Sequence, residues 1–154
     1  MKNGPEAHTV LWGELRVEAT FENLRKVADF VRDIGQQLRL TEEALFEFDL
    51  AVEEASANIV RHAYRPGQAG DLLLRVETAD DMVRITLIDW GLPFDANNVR
   101  PFDVDAPVET RAKGGTGLQL IHSLMDDVAR KTASVPGEPN VLVLCKYVEH
   151  RRAP

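Results

Sequence analysis

The spacing of apolar residues changes from helical to alternating near residue 66, and that change constrains the fold more than any other feature. Before it, apolar side chains recur at steps of 3, 4, 3, 4 and 4 residues: Leu45, Phe48, Val52, Ala55, Ile59 and Ala63. After it, apolar residues alternate with other residues over 72–76 and again over 83–87. The first pattern is typical of a helix on a core and the second of half-buried strands. The chain is therefore expected to pack helices against a sheet.

Two helices are predicted before the change in spacing. Thr41 can cap a helix of about 42–64, which the turn-forming residues 65–67 would end. Thr20 can cap an earlier helix over about 21–39. Because only a short link joins the two helices, we expect them to be packing neighbours.

The remaining elements complete the predicted fold. Strands are predicted over 8–19 and 141–148, and a hairpin turns at Asp80-Asp81. A third helix is predicted over about 117–130, after a long segment, 90–117, that has little periodicity. This order predicts an α/β (α+β) two-layer sandwich. Its sheet would be mixed but mostly antiparallel, with about three helices covering one face.

The charge balance restricts the classes of ligand. The chain has 25 acidic and 18 basic residues, so its net charge is −7 with neutral histidines. That balance argues against a broad basic face for nucleic acid. It leaves room for a local basic site that binds a phosphorylated ligand.

Length and cysteine content restrict the architecture. The 154 residues predict one domain over 8–150, between a flexible N-terminus at 1–7 and a tail at 151–154. The single cysteine, Cys145, excludes an internal disulfide framework. We find no signal-peptide pattern and no apolar run near the roughly 18 residues that span a bilayer. We therefore expect a cytoplasmic protein without membrane contact.

A carboxylate and an amide share one face of the predicted second helix. Glu54 and Asn58 are four residues apart and one position off the apolar stripe, which places them at the edge of the core. A carboxylate can accept a proton from a hydroxyl nucleophile, and an amide oxygen is a suitable Mg²⁺ ligand. The spacing is common, so a solvated helix face is the alternative interpretation.

An aspartate follows the second strand of the predicted hairpin and opens the segment 89–95. Asp89 can accept a hydrogen bond from an exocyclic amine such as that of adenine, and Gly91 lets a flat ring approach the backbone. Aspartate, glycine and proline are also turn-forming residues, so a plain turn is an equally good interpretation.

Glycines precede the predicted third helix in the segment 113–118. Glycines followed by a helix N-terminus present free backbone N–H groups and a positive dipole end to an anion. Lys113 would add a mobile positive charge. The Rossmann and P-loop phosphate motifs do not match this segment, and a flexible glycine-rich linker is the alternative.

The order of these three motifs is more specific than any one of them. The segments AVEEASANIVRHAY, DWGLPFD and GGTGLQLIHSLMDDV resemble the ATP-binding family of gyrase, heat-shock chaperone, histidine-kinase and MutL-type domains. The resemblance is closest to the anti-sigma-factor serine kinases of bacteria, and it covers roughly residues 10–148. It implies a Bergerat-type ATP-binding fold and a protein serine/threonine kinase that uses Mg-ATP.

The resemblance also implies roles for individual residues. Asn58 would hold Mg²⁺, and Glu54 would act as the base on the substrate serine. Asp89 would bind the adenine amino group, with Gly91 against the ring. A lid over ATP would extend from about 96 to 117. The other residues implied are Lys113 as a catalytic cation and Phe94, Gly115, Thr116, Gly117 and Leu118 as nucleotide-binding residues.

The resemblance further implies partners. The substrate would be a serine on a small anti-anti-sigma (STAS-type) protein. A sigma factor or another regulator would be sequestered, and the kinase would form a homodimer without direct nucleic-acid contact.

Two positions depart from the family pattern. Lys113 stands where the sporulation branch has an arginine, and it keeps the charge but loses the planar fork. Pro139-Asn140-Val141 stands where that branch has G-T-T, so we expect threonine contacts near the adenine to be missing. These departures leave open a nucleotide-gated binding module that sequesters a partner without phosphotransfer. An α/β domain that binds no nucleotide is the third interpretation.

Overall fold

The fold is described from a computed structural model of the chain, over residues 8–92 and 115–148. The helices are α1 (Leu24–Gln37), α2 (Glu42–His62) and α3 (Gly115–Leu124). The strands are β1 (Thr9–Glu18), β2 (Asp71–Ala79), β3 (Met82–Asp89), β4 (Asp127–Lys131) and β5 (Asn140–Tyr147). A short 3-10 turn, Phe21–Asn23, precedes α1.

The five strands form one sheet in the order β1-β2-β3-β5-β4. Each neighbouring pair among these strands is antiparallel, so the mixed sheet that the sequence predicts contains no parallel pair in the described part of the chain. One face of each helix and alternate residues of the strands build a single hydrophobic core. The predicted two-layer architecture of helices on a sheet is confirmed.

Local sequence explains where the first two helices begin. The Thr41 hydroxyl accepts a hydrogen bond from the Ala44 amide at 3.2 Å, and α2 begins at the next residue, as predicted. The Thr20 hydroxyl accepts from the Asn23 amide at 3.3 Å. The segment predicted as one helix over 21–39 therefore starts with the 3-10 turn before α1. The apolar stripe of α2 faces the core, which leaves its offset face at one edge.

The prediction of a third helix over 117–130 is wrong beyond Leu124. α3 ends at Leu124, and Asp127–Lys131 forms strand β4 instead. Val128 matches helical spacing, but it also fits a strand, because the residues on either side of it are exposed. In the structure it lies opposite Leu144 of β5. Pairing with β5 decides between the two patterns, because it satisfies the backbone groups at that edge of the sheet.

Two observations concern the cysteine and the helices. Cys145 of β5 is a free, buried thiol and is 8% exposed. Among the described residues, no helix combines the length and apolar character needed to cross a membrane. Most of the long segment predicted over 90–117 lies outside the described residues.

Candidate functional site

An open cleft lies between α2, α3 and the adjoining ends of the central and edge strands. Apolar residues form most of its walls. Its polar lining residues are Asn58, His62, Asp89, Arg130, Thr132 and Asn140. Leu118, in the first turns of α3, also lines it. The cleft therefore brings together residues of all three motifs that are far apart in the sequence.

Helix α3 approaches α2 closely at Gly117, which is buried. A Cβ atom at this position would lie 2.7 Å from Glu54 Oε2 and 3.6 Å from Asn58 Nδ2. A side chain there would have to displace the Glu54 carboxylate. Because glycine has no side chain, the first turn of α3 lies directly beside Glu54 and Asn58. The N–H groups of that helix end therefore lie next to a carboxylate and an amide.

The Asn58 side chain has an unsatisfied oxygen. Its Oδ1 atom is buried and accepts no hydrogen bond within the described part of the chain. Leaving a buried polar atom unpaired costs about 1–3 kcal/mol, so a ligand that pairs with it would be stabilised. Within residues 8–92 and 115–148, no group of three or more His, Cys, Asp or Glu side chains could hold a metal ion. Mg²⁺ fits this arrangement, because it is commonly bound by one or two protein groups together with phosphates and water.

Asp89 lies at the end of β3 and is 7% exposed. Its Oδ1 atom accepts hydrogen bonds from the Gly91 amide and from Asn140 Nδ2, each at 3.0 Å. These two donors, one from its own turn and one from β5, fix the orientation of the carboxylate. The residues after β3 thus form the predicted turn, and the same turn orients the Asp89 carboxylate.

Asn140 lies in the site, although in the sequence it is notable only because it departs from the family pattern. Its Nδ2 atom also donates to the Gly91 carbonyl at 3.1 Å, and its Oδ1 accepts from the Ala133 amide at 2.9 Å. Asn140 therefore ties the Asp89 turn to the segment after β4, and Thr132 of that segment adds a hydroxyl to the cleft. Pairing β3 with the last strand would have found it, since Asn140 lies opposite Asp89 in the register.

The backbone after Asp89 packs against the C-terminal end of α2. The Leu92 amide donates to the Ala63 carbonyl at 2.5 Å. A Cβ atom at Gly91 would lie 2.1 Å from that same carbonyl oxygen. Glycine is therefore required at this position by the close approach of two backbones.

We expect Gly91→Ala to lower the free energy of unfolding by about 1–3 kcal/mol, because the added methyl group forces the turn away from α2. Urea unfolding followed by circular dichroism measures the change. Leu92→Ala serves as the control, since Leu92 is 48% exposed and its removal creates no close contact. A Gly91→Ala variant as stable as the unaltered chain would contradict the tight packing.

The Tyr64 hydroxyl links the backbone next to Asp89 to the start of β2. It accepts from the Trp90 amide at 3.1 Å and donates to the Asp71 carbonyl at 2.6 Å, joining the start of β2 to the end of β3. Burial raises the pKa of the Tyr64 hydroxyl, so the phenol stays neutral and keeps its donor. The Arg16 guanidinium lies 4.9 Å from the centre of the Trp90 ring, so Trp90 makes a cation–π contact with Arg16.

Several predicted site residues lie outside this description. Phe94 and Lys113 are outside the described residues, as is most of the predicted lid over 96–117. Gly115 and Thr116 belong to the first turn of α3.

Arg130 and Thr132 were not predicted as site residues, because the segment that carries them was predicted as helix or left unassigned.

Residues 17–146 match the family model described as a histidine kinase-like ATPase domain. The serine-protein kinase RsbW of Bacillus cereus (strain Q1) is 27% identical over 143 residues, which cover 90% of this chain and 86% of the relative. The serine-protein kinase RsbW of Bacillus anthracis (strain A0248) matches with the same identity and coverage.

A solved structure shows a similar fold. It is the crystal structure of the RsbU and RsbW domains of a Mycobacterium tuberculosis protein, and it matches with a TM-score of 0.63 and 17% identity. The match covers 92% of this chain, which spans only 35% of that longer chain. The similarity supports the two-layer fold described above.

Proposed function

This chain belongs to the histidine kinase-like ATPase domain family, and on that premise we propose that it is a protein serine kinase that uses Mg-ATP. The observation that carries the proposal is the position of Gly117. This glycine lets α3, the helix at the end of the glycine motif, pack directly against Glu54 and Asn58. This contact supports the proposal, in which Glu54 would act as a general base, Asn58 would be a metal ligand and the end of α3 would bind an anion.

The nucleotide base would bind at the other end of the cleft. Asp89 is held by two donors on Oδ1, so Oδ2 would accept the adenine amino group. Gly91 would lie against the ring. The phosphates would extend toward the first turn of α3, where the amides of Gly115 and Gly117 would bind them. Phe94, Thr116, Leu118 and Lys113 remain predicted contacts of the nucleotide.

Phosphoryl transfer would then depend on Glu54. The carboxylate would accept the proton of the substrate serine as the serine oxygen forms its bond to the γ-phosphorus atom. The bond between that phosphorus and the β,γ-bridging oxygen breaks, and ADP leaves. Asn58 would hold Mg²⁺, which neutralises phosphate charge when bound. Lys113 would add positive charge near the transferred group.

We expect Asn58→Ala to remove most of the effect of Mg²⁺ on ATP affinity. The unaltered chain should bind ATP about tenfold more tightly with Mg²⁺ than with excess EDTA, a difference of about 1.4 kcal/mol. In the variant the two affinities should agree within about twofold, because the buried acceptor has been removed. Fluorescence titration with a labelled ATP analogue measures both values. Glu53→Gln, a change at an exposed residue of the same helix, should retain the difference. An undiminished Mg²⁺ effect in Asn58→Ala would contradict the assignment.

The partners proposed follow the same family relationship. The substrate would be an anti-anti-sigma (STAS-type) protein, and a sigma factor or another regulator would be sequestered by a homodimer of this chain in the cytoplasm. The alternative is a nucleotide-gated binding module that sequesters its partner without transferring phosphate. The two functions differ in a single observable, the fate of the γ-phosphate.

Label transfer distinguishes them. Proteins that co-purify with the chain are identified by mass, and a candidate partner is incubated with the chain and γ-labelled ATP. Label on a partner serine supports the kinase. An ATP-dependent complex that contains no label would overturn the kinase and support the binding module.

A further inference from the structure

Arg130 is the only lysine or arginine among the described residues that line the cleft. It lies in β4 on the same face as Val128, which packs against the core, and opposite Leu142, which also lines the cleft. The backbone of β4 therefore directs Arg130 toward the helices. Lys131, the next residue, belongs to the opposite face of the sheet.

Arg130 and Asp89 influence each other across the cleft. Partial desolvation lowers the pKa of the Arg130 guanidinium, and the Asp89 carboxylate opposes that shift. Arginine nevertheless stays charged at any physiological pH. Asp89 and Arg130 both line the cleft, so the cleft offers a charged acceptor and a charged donor to the same ligand.

This pairing matches the hydrogen-bonding edge of adenine. The exocyclic amine of adenine is a donor, and the ring nitrogens on either side of it, N1 and N7, are acceptors. A carboxylate only accepts hydrogen bonds and a guanidinium only donates them. Guanine presents an oxygen in place of the amine, and that oxygen would face the Asp89 carboxylate.

We propose that Arg130 is a base-contacting residue whose guanidinium donates a hydrogen bond to a ring nitrogen, N1 or N7, beside the amine that Asp89 accepts. This assignment rests on the proposed binding of ATP in the cleft. It places base recognition on two opposite charges, Asp89 at the end of β3 and Arg130 on the edge strand.

Purine analogues test the contact on the unaltered chain. Calorimetric titrations compare Mg-ATP with its 1-deaza and 7-deaza analogues, each of which lacks one ring nitrogen. We expect one analogue to bind about tenfold more weakly than Mg-ATP and the other to bind equally well. The weaker one identifies the nitrogen that Arg130 contacts. Equal affinity for all three nucleotides would overturn the assignment.

A variant ties the effect to Arg130. Arg130→Met should bind Mg-ATP about tenfold more weakly than the unaltered chain does. The analogue that binds weakly to the unaltered chain should bind to this variant within about twofold of Mg-ATP, because the contact it lacks has already been removed. Lys131→Met, on the same strand, should change neither affinity by more than about twofold, and thermal unfolding checks that both variants fold. A uniform loss that keeps the discrimination between analogues would overturn the contact, since it would indicate general attraction of the phosphates.

The outcomes separate this inference from the function on which it rests. Mg-ATP binding that is insensitive to both the analogues and Arg130→Met overturns the base contact alone. Absence of any Mg-ATP binding to the unaltered chain overturns the proposed function together with the base contact. If Arg130→Met does not fold, equal affinity of the unaltered chain for the three nucleotides still overturns the contact, and Arg130→Gln takes the place of the variant.

Discussion

Glu54→Gln is expected to reduce transfer of the γ-phosphoryl group to the partner serine by about 100- to 10,000-fold, the usual contribution of a general base. Glutamine has nearly the same shape, so the close packing of Gly117 against residue 54 is retained. The amide cannot accept the serine proton at neutral pH. Mg-ATP affinity should therefore stay within about twofold of the unaltered chain, because only the transition state uses the missing base.

Single-turnover reactions with γ-labelled ATP and the partner protein measure the transfer, and calorimetry measures the affinity. Glu53→Gln is the matched control, because residue 53 is the exposed neighbour on the same helix and undergoes the same chemical change. It should transfer phosphate at the normal rate. Undiminished transfer by Glu54→Gln would remove the role assigned to that carboxylate.

Asp89→Asn is expected to weaken Mg-ATP binding by about 2–3 kcal/mol, or roughly 30- to 150-fold. The asparagine oxygen can still accept from Gly91 and Asn140. Its amide nitrogen would then take the place of the second carboxylate oxygen and present a donor to the adenine amine, which is also a donor. The variant thus loses a charge-assisted hydrogen bond and gains two facing donors.

Calorimetric titration with Mg-ATP measures this loss directly. Asp71→Asn is the control, since the Asp71 carboxylate forms a surface ion pair with Arg16 at 2.8 Å and is not among the lining residues of the cleft. Its effect on affinity should be less than about twofold, because exposed ion pairs contribute little. Equal affinities for Asp89→Asn and the unaltered chain would show that the base does not bind at this carboxylate.

The helices and the central hairpin were predictable because their signals are local. The stripe of α2 repeats over five turns and Thr41 marks its start, so two independent features agree. The alternation of β2 and β3 is similarly regular on either side of a tight turn. In each case, burial of one face is decided within the element itself.

The edge strand was not predictable because its signal depends on a distant partner. Val128 fits a helix as well as a strand, and only pairing with β5 selects the strand. The position of Arg130 in the cleft follows from that pairing and its register, whereas the position of Asn140 follows from the pairing of β5 with β3. No local pattern of these residues distinguishes a polar surface position from a site position.

The motifs show a similar division. The spacing of Glu54 and Asn58 predicts their common face, but only the packing of α3 on α2 brings Gly117 against them. The net charge of −7 likewise describes the whole chain, whereas a nucleotide would meet an amide oxygen, a helix end and one arginine. Residue types indicate the chemistry, and tertiary packing decides which residues act together.

Calorimetric titration of the unaltered chain with Mg-ATP is the most direct test of the central claim that this cleft is a nucleotide site. We expect saturable binding of one nucleotide per chain, and we expect ADP to compete for the same site. No heat of binding at millimolar Mg-ATP would contradict both the kinase and the nucleotide-gated binding module.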